Sequence, residues 1–468
     1  MRRRVPLAVA SVLLGSALVG AQERIPLPTP DPTPPGAAAV APPQTLQTPP
    51  APAPGPSSPP PPGGYAGPGY LAPPYPPPPG GYPGYPPPGG YPGYPPPPPG
   101  YAGPGYPPPP VFLGDPAGNP SFWIGAEALL WWTKNPQLSV PLLTTGPASQ
   151  GANAGNLGAP GTQSLDGPLS YGAEGGFRLY AGGWFNASHT FGMDGSLFWL
   201  GQQSAGFGAN DRSGTGATVI NEPVANAPYI TQVSAPGVGT GYASVDSTSR
   251  LWGGDVNLLY NAYRNNGLTV NLLGGFRYLQ LNETLSISGT STLFTATTYT
   301  DGNGDTLASA PAGSNVVVYD SFHTRNEFYG GQIGASAQYL MGRLFFGGDV
   351  KLAVGATHQV VDVNGTTTVF PTNSSPVPLT GGNYATLQIG RYSMDRFAVA
   401  PSTQLNVGYQ FTPWLRGMVG YNFLYLSSVV RPGPQIDNSF DGVIHPLVPM
   451  VQAGYWAQGV NFSLQFSF

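Results

Sequence analysis

From Phe122 onward, apolar residues alternate with small or polar ones at a period of two. That period puts successive side chains on opposite faces of an extended chain, so each run predicts a β-strand with one apolar face. In 122–132 one face carries Phe122, Ile124, Ala126, Ala128, Leu130 and Trp132, and Glu127 lies on the other. In 170–181, Ala173, Gly175, Phe177, Leu179 and Ala181 oppose Glu174, Gly176, Arg178 and Tyr180. In 344–356, Leu344, Phe346, Val350, Leu352 and Val354 oppose Asp349 and Lys351; in 415–425, Leu415, Val419, Tyr421, Phe423 and Tyr425 oppose Arg416 and Asn422. Similar runs occupy 190–200, 250–260, 268–280, 328–340 and 397–410. Near Tyr278–Leu279 the apolar set changes parity, which predicts either a bulge or a rim at that height.

The connections between runs alternate strictly between short and long. The short ones are Asn186–Thr190, Asn265–Gly267, Met341–Arg343 and Thr412-Pro413, and Asn266-Gly267 is a strong hairpin signal. The long ones cover 133–169, 201–249, 281–325, 357–396 and 427–453. Tight turns at one end and long loops at the other are the pattern of transmembrane barrels. The expected fold is therefore all-β, a transmembrane antiparallel up-and-down β-barrel of about ten strands, with both ends of the barrel chain in the periplasm. Two further runs, Thr366–Phe370 and Tyr384–Ile389, either extend strands or raise the count to twelve. In the last run Val460, Phe462, Leu464, Phe466 and Phe468 alternate with Asn461, Ser463, Gln465 and Ser467, an apolar face for lipid against a polar one for a lumen. An alternating strand with an aromatic end also looks like the signal read by the machinery that inserts barrels into the outer membrane.

The first quarter of the chain has a different texture. Arg2–Arg4, the apolar stretch Val5–Val19 and the small residues Val19-Gly20-Ala21 predict a secretory signal peptide over 1–21. Residues 22–118 then read as a disordered Pro/Gly/Tyr-rich arm in the periplasm, with 119–468 as the barrel. No charged residue lies between Asp31 and Asp115, and GGYPGYPPP begins at Gly80 and again at Gly89, while GYAGPGY begins at Gly64 and again at Gly100. Proline at this density favours extended polyproline II, at roughly 3.1 Å per residue. Such an arm serves as a spacer, or as a ligand for the cell wall or a periplasmic partner. No later stretch is long and apolar enough for a membrane helix, which leaves a closed barrel as the way to cross a bilayer.

Charge and composition exclude more than they suggest. Loss of three arginines with the signal peptide takes a chain of formal charge −4 to −7, with no basic patch for nucleic acid. Absence of cysteine removes disulfides and thiolate chemistry. No catalytic motif stands out, so no enzymatic activity, cofactor or metal is expected. His189 falls in a short turn, and His323 and His358 sit near one rim of neighbouring strands, pointing outward by parity into the interface belt rather than toward each other as a metal pair. Asp301-Gly302-Asn303-Gly304-Asp305 opens like a calcium loop but lacks the turn glycine and the bidentate glutamate, and reads as a polar loop tip. The charges expected to face the lumen are Glu127, Glu174, Arg178, Asp194, Asp255, Arg277, Asp349, Lys351 and Arg416. They either line a pore and set its ion preference, or pair and plug it. At about ten strands the plug is favoured, because eight-stranded barrels are filled by side chains and open channels appear at about 16–18.

The segments FWIGAEALLWWTKN from Phe122, GFRYLQLNETLSI from Gly275, KLAVGATHQVVDVNG from Lys351 and VAPSTQLNVGYQFTPWLRGMVGYNFLYLSSVVRPGPQID from Val399 resemble the putative beta-barrel porin-7 family of outer-membrane proteins. The resemblance covers 122–468 and leaves out the proline arm. It implies a barrel in the outer membrane, in contact with its lipid, and pore formation through the family name alone. The expected function is a porin-like barrel with a narrow or gated pore for small solutes. The alternative is a closed structural barrel that displays extracellular loops and ties the wall to the membrane through its arm.

Overall fold

The computed structural model describes residues 121–468, apart from 225–230, 301–304, 440 and 442–444. The expected signal peptide and arm, and most of the Asp301–Asp305 loop, lie outside the described residues. No helix among them is long and apolar enough to cross a membrane.

Ten antiparallel strands form a closed ring: β1 (Phe122–Thr133), β2 (Glu174–Trp184), β3 (Phe191–Leu200), β4 (Gly239–Asn265), β5 (Leu268–Leu293), β6 (Asn315–Met341), β7 (Leu344–Phe370), β8 (Gly390–Thr412), β9 (Leu415–Val430) and β10 (Gln452–Ser467). Each pairs with its neighbours in sequence, and β10 pairs with β1 in the register Ala126↔Leu464. Reciprocal backbone bonds between Phe122 and Phe468, at 2.8 and 3.1 Å, complete the seam, so no sheet edge is left exposed there. Gln203–Asn210 continues β3 along β4. Between β4 and β5, Asn266 (φ 50°) and Gly267 (φ 79°) make the two-residue turn with both central residues at positive φ. The four tight turns gather at one end of the ring, the turn end, and the long connections at the other, the loop end.

Side-chain direction never changes parity along β5. Even-numbered residues face out from Leu272 to Thr292 and odd-numbered ones face in. What changes at Tyr278 is the polarity of the two faces. Toward the turn end, Leu272 and Phe276 face out while Asn271 and Arg277 face in; toward the loop end, Asn282, Thr284 and Ser286 face out while Leu281, Leu285 and Ile287 are buried inside. The parity change in the sequence therefore marks a rim and not a bulge; the irregularity in this hairpin lies near Val270/Asn271 instead.

The same inversion runs along β4, β6, β7 and β8. On the turn-end half Leu258, Ile333, Val350 and Leu405 are each at least 60% exposed, so this half needs an apolar solvent around it. Rings mark the boundary: Phe177 on Trp199, Trp199 on Trp252, Trp252 on Tyr278 and Tyr278 on Tyr329 follow one another across β2–β6 at 5.0, 6.4, 5.1 and 5.1 Å. Tyr339, Tyr409, Phe411, Trp414 and Phe466 mark the other boundary, near the turns. From Tyr339 to Tyr329 a tilted strand rises roughly 25 Å, the height of an outer-membrane apolar band.

The inversion corrects the expected loops at 281–325 and 357–396. Most of both segments is strand, because the alternation continues there with its apolar face turned inward. Thr366–Phe370 extends β7, whereas Tyr384–Ile389 forms no strand and buries Tyr384 and Ala385 inside the loop end. The ring stays at ten.

Candidate functional site

The interior is built in layers, starting at the turn end. Glu127, Arg178, Asp194, Asp255, Arg277, Asp349, Lys351 and Arg416 all line one lumen cavity of about 400 Å³. Glu174 does not; it sits at the head of β2 against Gly201.

The charges reach across the lumen as well as to their neighbours. Arg178 on β2 donates to Glu127 at 2.9 Å on β1, to the Gln404 Oε1 at 2.9 Å on β8 and to the Asn422 Oδ1 at 3.1 Å on β9. Gln404 in turn donates to the second Glu127 oxygen at 3.0 Å. On the other side, Arg277 of β5 donates to Asp255 at 3.0 Å and to the Ser402 hydroxyl of β8 at 2.7 Å, and Lys351 of β7 pairs with Asp255 at 3.4 Å. Gln332 of β6 donates to Asn257 of β4, whose amide donates to Asp194 at 2.8 Å. Strands two to four places apart are thus tied across the lumen, which fixes the cross-section of the barrel. Gly125 makes room for one of these ties: a Cβ there would lie 2.2 Å from the Tyr180 ring, whose hydroxyl meets Ser463 at 2.9 Å.

Above this polar layer lies an apolar one. Leu129, Trp131, Phe198, Leu251, Leu279, Phe328, Ala353, Ala398, Leu424 and Ala457 belong to a buried cluster drawn from nine of the ten strands, and with each at most 6% exposed these inward side chains leave no wet surface at this height. Trp131, Phe198, Leu279 and Leu424 also form the inner end of the cavity. Parity made this layer readable, since Leu129 and Trp131 share a face with Glu127; a search for charges alone passes over it. The same search passes over the amides Asn257, Gln332 and Gln404, whereas Asn422 already stands on the inner face by its alternation with Tyr421 and Phe423.

A buried ion pair, Arg431 with Glu283, follows toward the loop end, and beyond it the loops fold inward. Leu142, Leu143, Ile220, Tyr384, Ile436 and Met450 pack on Val245, Leu285, Ile287, Phe322, Val361 and Val363 of the wall as one apolar core. The Asp320 carboxylate receives the backbone N–H groups of Asn383 at 3.0 Å and Ala385 at 2.7 Å, and the Tyr384 hydroxyl donates to the Leu142 carbonyl at 2.7 Å. Glu222, in the loop after β3, accepts from the Asn383 amide. Burial, reinforced by the nearby Asp320, pushes the Glu222 carboxyl up to about 8. At neutral pH it is largely protonated, which lets it stay buried without a cation.

His323 meets Asp362 at 3.6 Å and His358 meets Asp395 at 2.8 Å, on the outer face just beyond the ring belt. The imidazoles form two separate cross-strand pairs, and no group of three or more metal-ligating side chains occurs among the described residues. His189, in the turn between β2 and β3, stacks on Trp184 at 5.8 Å.

The family model described as putative beta barrel porin-7 matches residues 123–468. Among solved structures, the outer membrane protease OmpT of Escherichia coli aligns at 11% identity over 74% of this chain and 96% of its own, with a TM-score of 0.36. The toluene transporter TodX of Pseudomonas putida aligns at 9% over 76% and 92%, with a TM-score of 0.19, and OmpT of Vibrio cholerae at 8% over 74% and 97%, with a TM-score of 0.17. No curated protein matches the chain.

Proposed function

The chain belongs to the putative beta barrel porin-7 family of outer-membrane barrels, and from that premise we propose that it works as a closed barrel that anchors a folded cap at the cell surface rather than as an open porin. The carrying observation is the apolar layer through Trp131, Leu279 and Leu424, which lies across the lumen between two polar layers and beneath a packed cap. Ions and small polar solutes need a continuous wet path, and a buried apolar layer offers none. Turns face the periplasm in this reading and loops face outward, which puts Phe122 and the arm preceding it on the periplasmic side. There the arm links the barrel to the cell wall or to a periplasmic partner. No catalytic step is part of the proposal.

A gated pore is the second reading. It is favoured by the cavity of about 400 Å³ that occupies the turn-end half of the lumen, since a route would need only the apolar layer and cap to move. Swelling of proteoliposomes in small sugars tests the proposal. A closed barrel gives the swelling rate of empty liposomes, and a rate that rises with sugar permeation overturns it.

A further inference from the structure

The three mid-lumen cations are ion-paired to two carboxylates, and with Asp194 and Asp349 the cavity lining holds five cations against four carboxylates. Arg178 has Glu127, and Arg277 and Lys351 share Asp255. Two other guanidiniums line the same cavity nearer its turn-end mouth and form no ion pair among the described residues: Arg264 near the end of β4, and Arg416 at the start of β9. Those strands stand five places apart in a ring of ten, so the two arginines occupy opposite walls.

Both are held the same way. The Arg264 guanidinium lies over the Trp184 ring at 5.6 Å and contacts the His189 Nδ1 at 3.3 Å. The Arg416 guanidinium lies over the Phe345 ring at 5.2 Å, with its Nε donating to Gln410 at 2.7 Å and one terminal nitrogen to Gln338 at 3.3 Å. A ring face and one or two neutral groups fix each fork while leaving N–H donors unused. A guanidinium carries five donors in a rigid plane that matches a carboxylate or phosphate edge. Neutral supports orient the charge without cancelling it, whereas the arginines deeper in lie against carboxylates.

We propose that the turn-end half of the lumen is a blind binding pocket for a small organic anion, a carboxylate or a phosphate ester, held between Arg264 and Arg416. Asn271, Ser336 and Gln465 line the same space and supply neutral hydrogen-bonding groups, while the Asp349 carboxylate beside Ser336 keeps the anion to the Arg264 and Arg416 side of the mouth. The volume lies within the range of small-molecule sites. The apolar layer closes the inner end, so the anion enters and leaves by one mouth and is captured, not passed through. The site deepens the closed-barrel proposal but is tested apart from it, because equilibrium binding in detergent does not depend on conduction.

Isothermal titration of the full-length refolded protein with succinate, with inorganic phosphate and with glucose, at constant ionic strength, tests the pocket. The two anions separate carboxylate from phosphate as the preferred group. Expected are saturable binding of at least one anion, no binding of glucose, and at least tenfold weaker binding in Arg264→Gln and in Arg416→Gln. Arg264 is exposed at the rim, so its variant keeps the test intact even where Arg416→Gln fails to refold. Arg250→Gln, on the outer wall, should bind like the parent. No anion binding at millimolar concentration, equal binding of glucose, or anion binding unchanged in Arg264→Gln would overturn the proposal.

Discussion

Arg431 and Glu283 meet across the barrel interior through two parallel bonds, Nε to Oε2 at 2.8 Å and Nη2 to Oε1 at 2.6 Å, with both side chains 1% exposed. The arginine also donates to the carbonyls of Asn135 at 2.7 Å and Lys134 at 3.1 Å. One residue thus joins β5, the segment after β9 and the segment after β1. Removing one partner leaves a buried charge unmatched, which typically costs about 3–5 kcal/mol. Arg431→Met should therefore destabilise the loop-end half by that order, and the double variant Arg431→Met/Glu283→Leu should recover most of the loss. Chemical unfolding of the three proteins in detergent measures both; a single variant as stable as the parent contradicts the assignment.

The polarity inversion predicts opposite responses to one substitution on one strand. Val350 and Asn364 both face outward from β7, on either side of the ring belt. Arginine near the middle of the apolar band costs about 2–4 kcal/mol and far less beyond it. Val350→Arg should lower folding stability in lipid vesicles by that amount, and Asn364→Arg should change it little. Equal effects would place the band elsewhere.

The cap should loosen as pH rises. Glu222 has a folded-state value raised to about 8, above the ordinary carboxylate range, so the folded state holds a proton that the unfolded chain has already released. Its contribution is fully present below the unfolded value near 4.5 and is lost as pH rises to about 8. Hydrogen exchange of the Asn383–Ala385 amides, corrected for intrinsic rate, should be better protected at pH 5 than at pH 8.5. Burial also pushes the Asp320 carboxyl, which accepts those amides, up to about 7, so Glu222→Gln should reduce that dependence without abolishing it; a profile identical to the parent's counts against Glu222 as a source.

A single charge deletion should not open the lumen. Arg178→Ala removes a cross-lumen tie, yet the layer at Trp131, Leu279 and Leu424 remains above it. Current steps appearing in Arg178→Ala alone would show that the polar network is the only barrier.

Much of the barrel was legible because its signals are local. Strict alternation in Phe122–Trp132 and Val460–Phe468, with Asn266-Gly267 as a turn, needed only strand periodicity. The height of the wall was not legible in the same way. Period two states which residues share a face but not which face meets solvent, so Leu281, Leu285 and Ile287 read as the start of a loop when they are the inner lining of a taller strand. The charged lumen followed from parity for eight residues, while the cross-lumen partners Gln404, Asn422 and Ser402 depend on the diameter and register of the closed ring. The cap was beyond local reading, since Glu222, Asp320 and Asn383 come together from three distant segments.

Planar-bilayer recording of the purified, refolded full-length protein tests the closed barrel most directly. A closed barrel gives a baseline without discrete current steps at moderate voltage in molar salt, for protein whose folding is verified by heat-modifiable mobility. Reproducible unitary steps from that folded protein would contradict it.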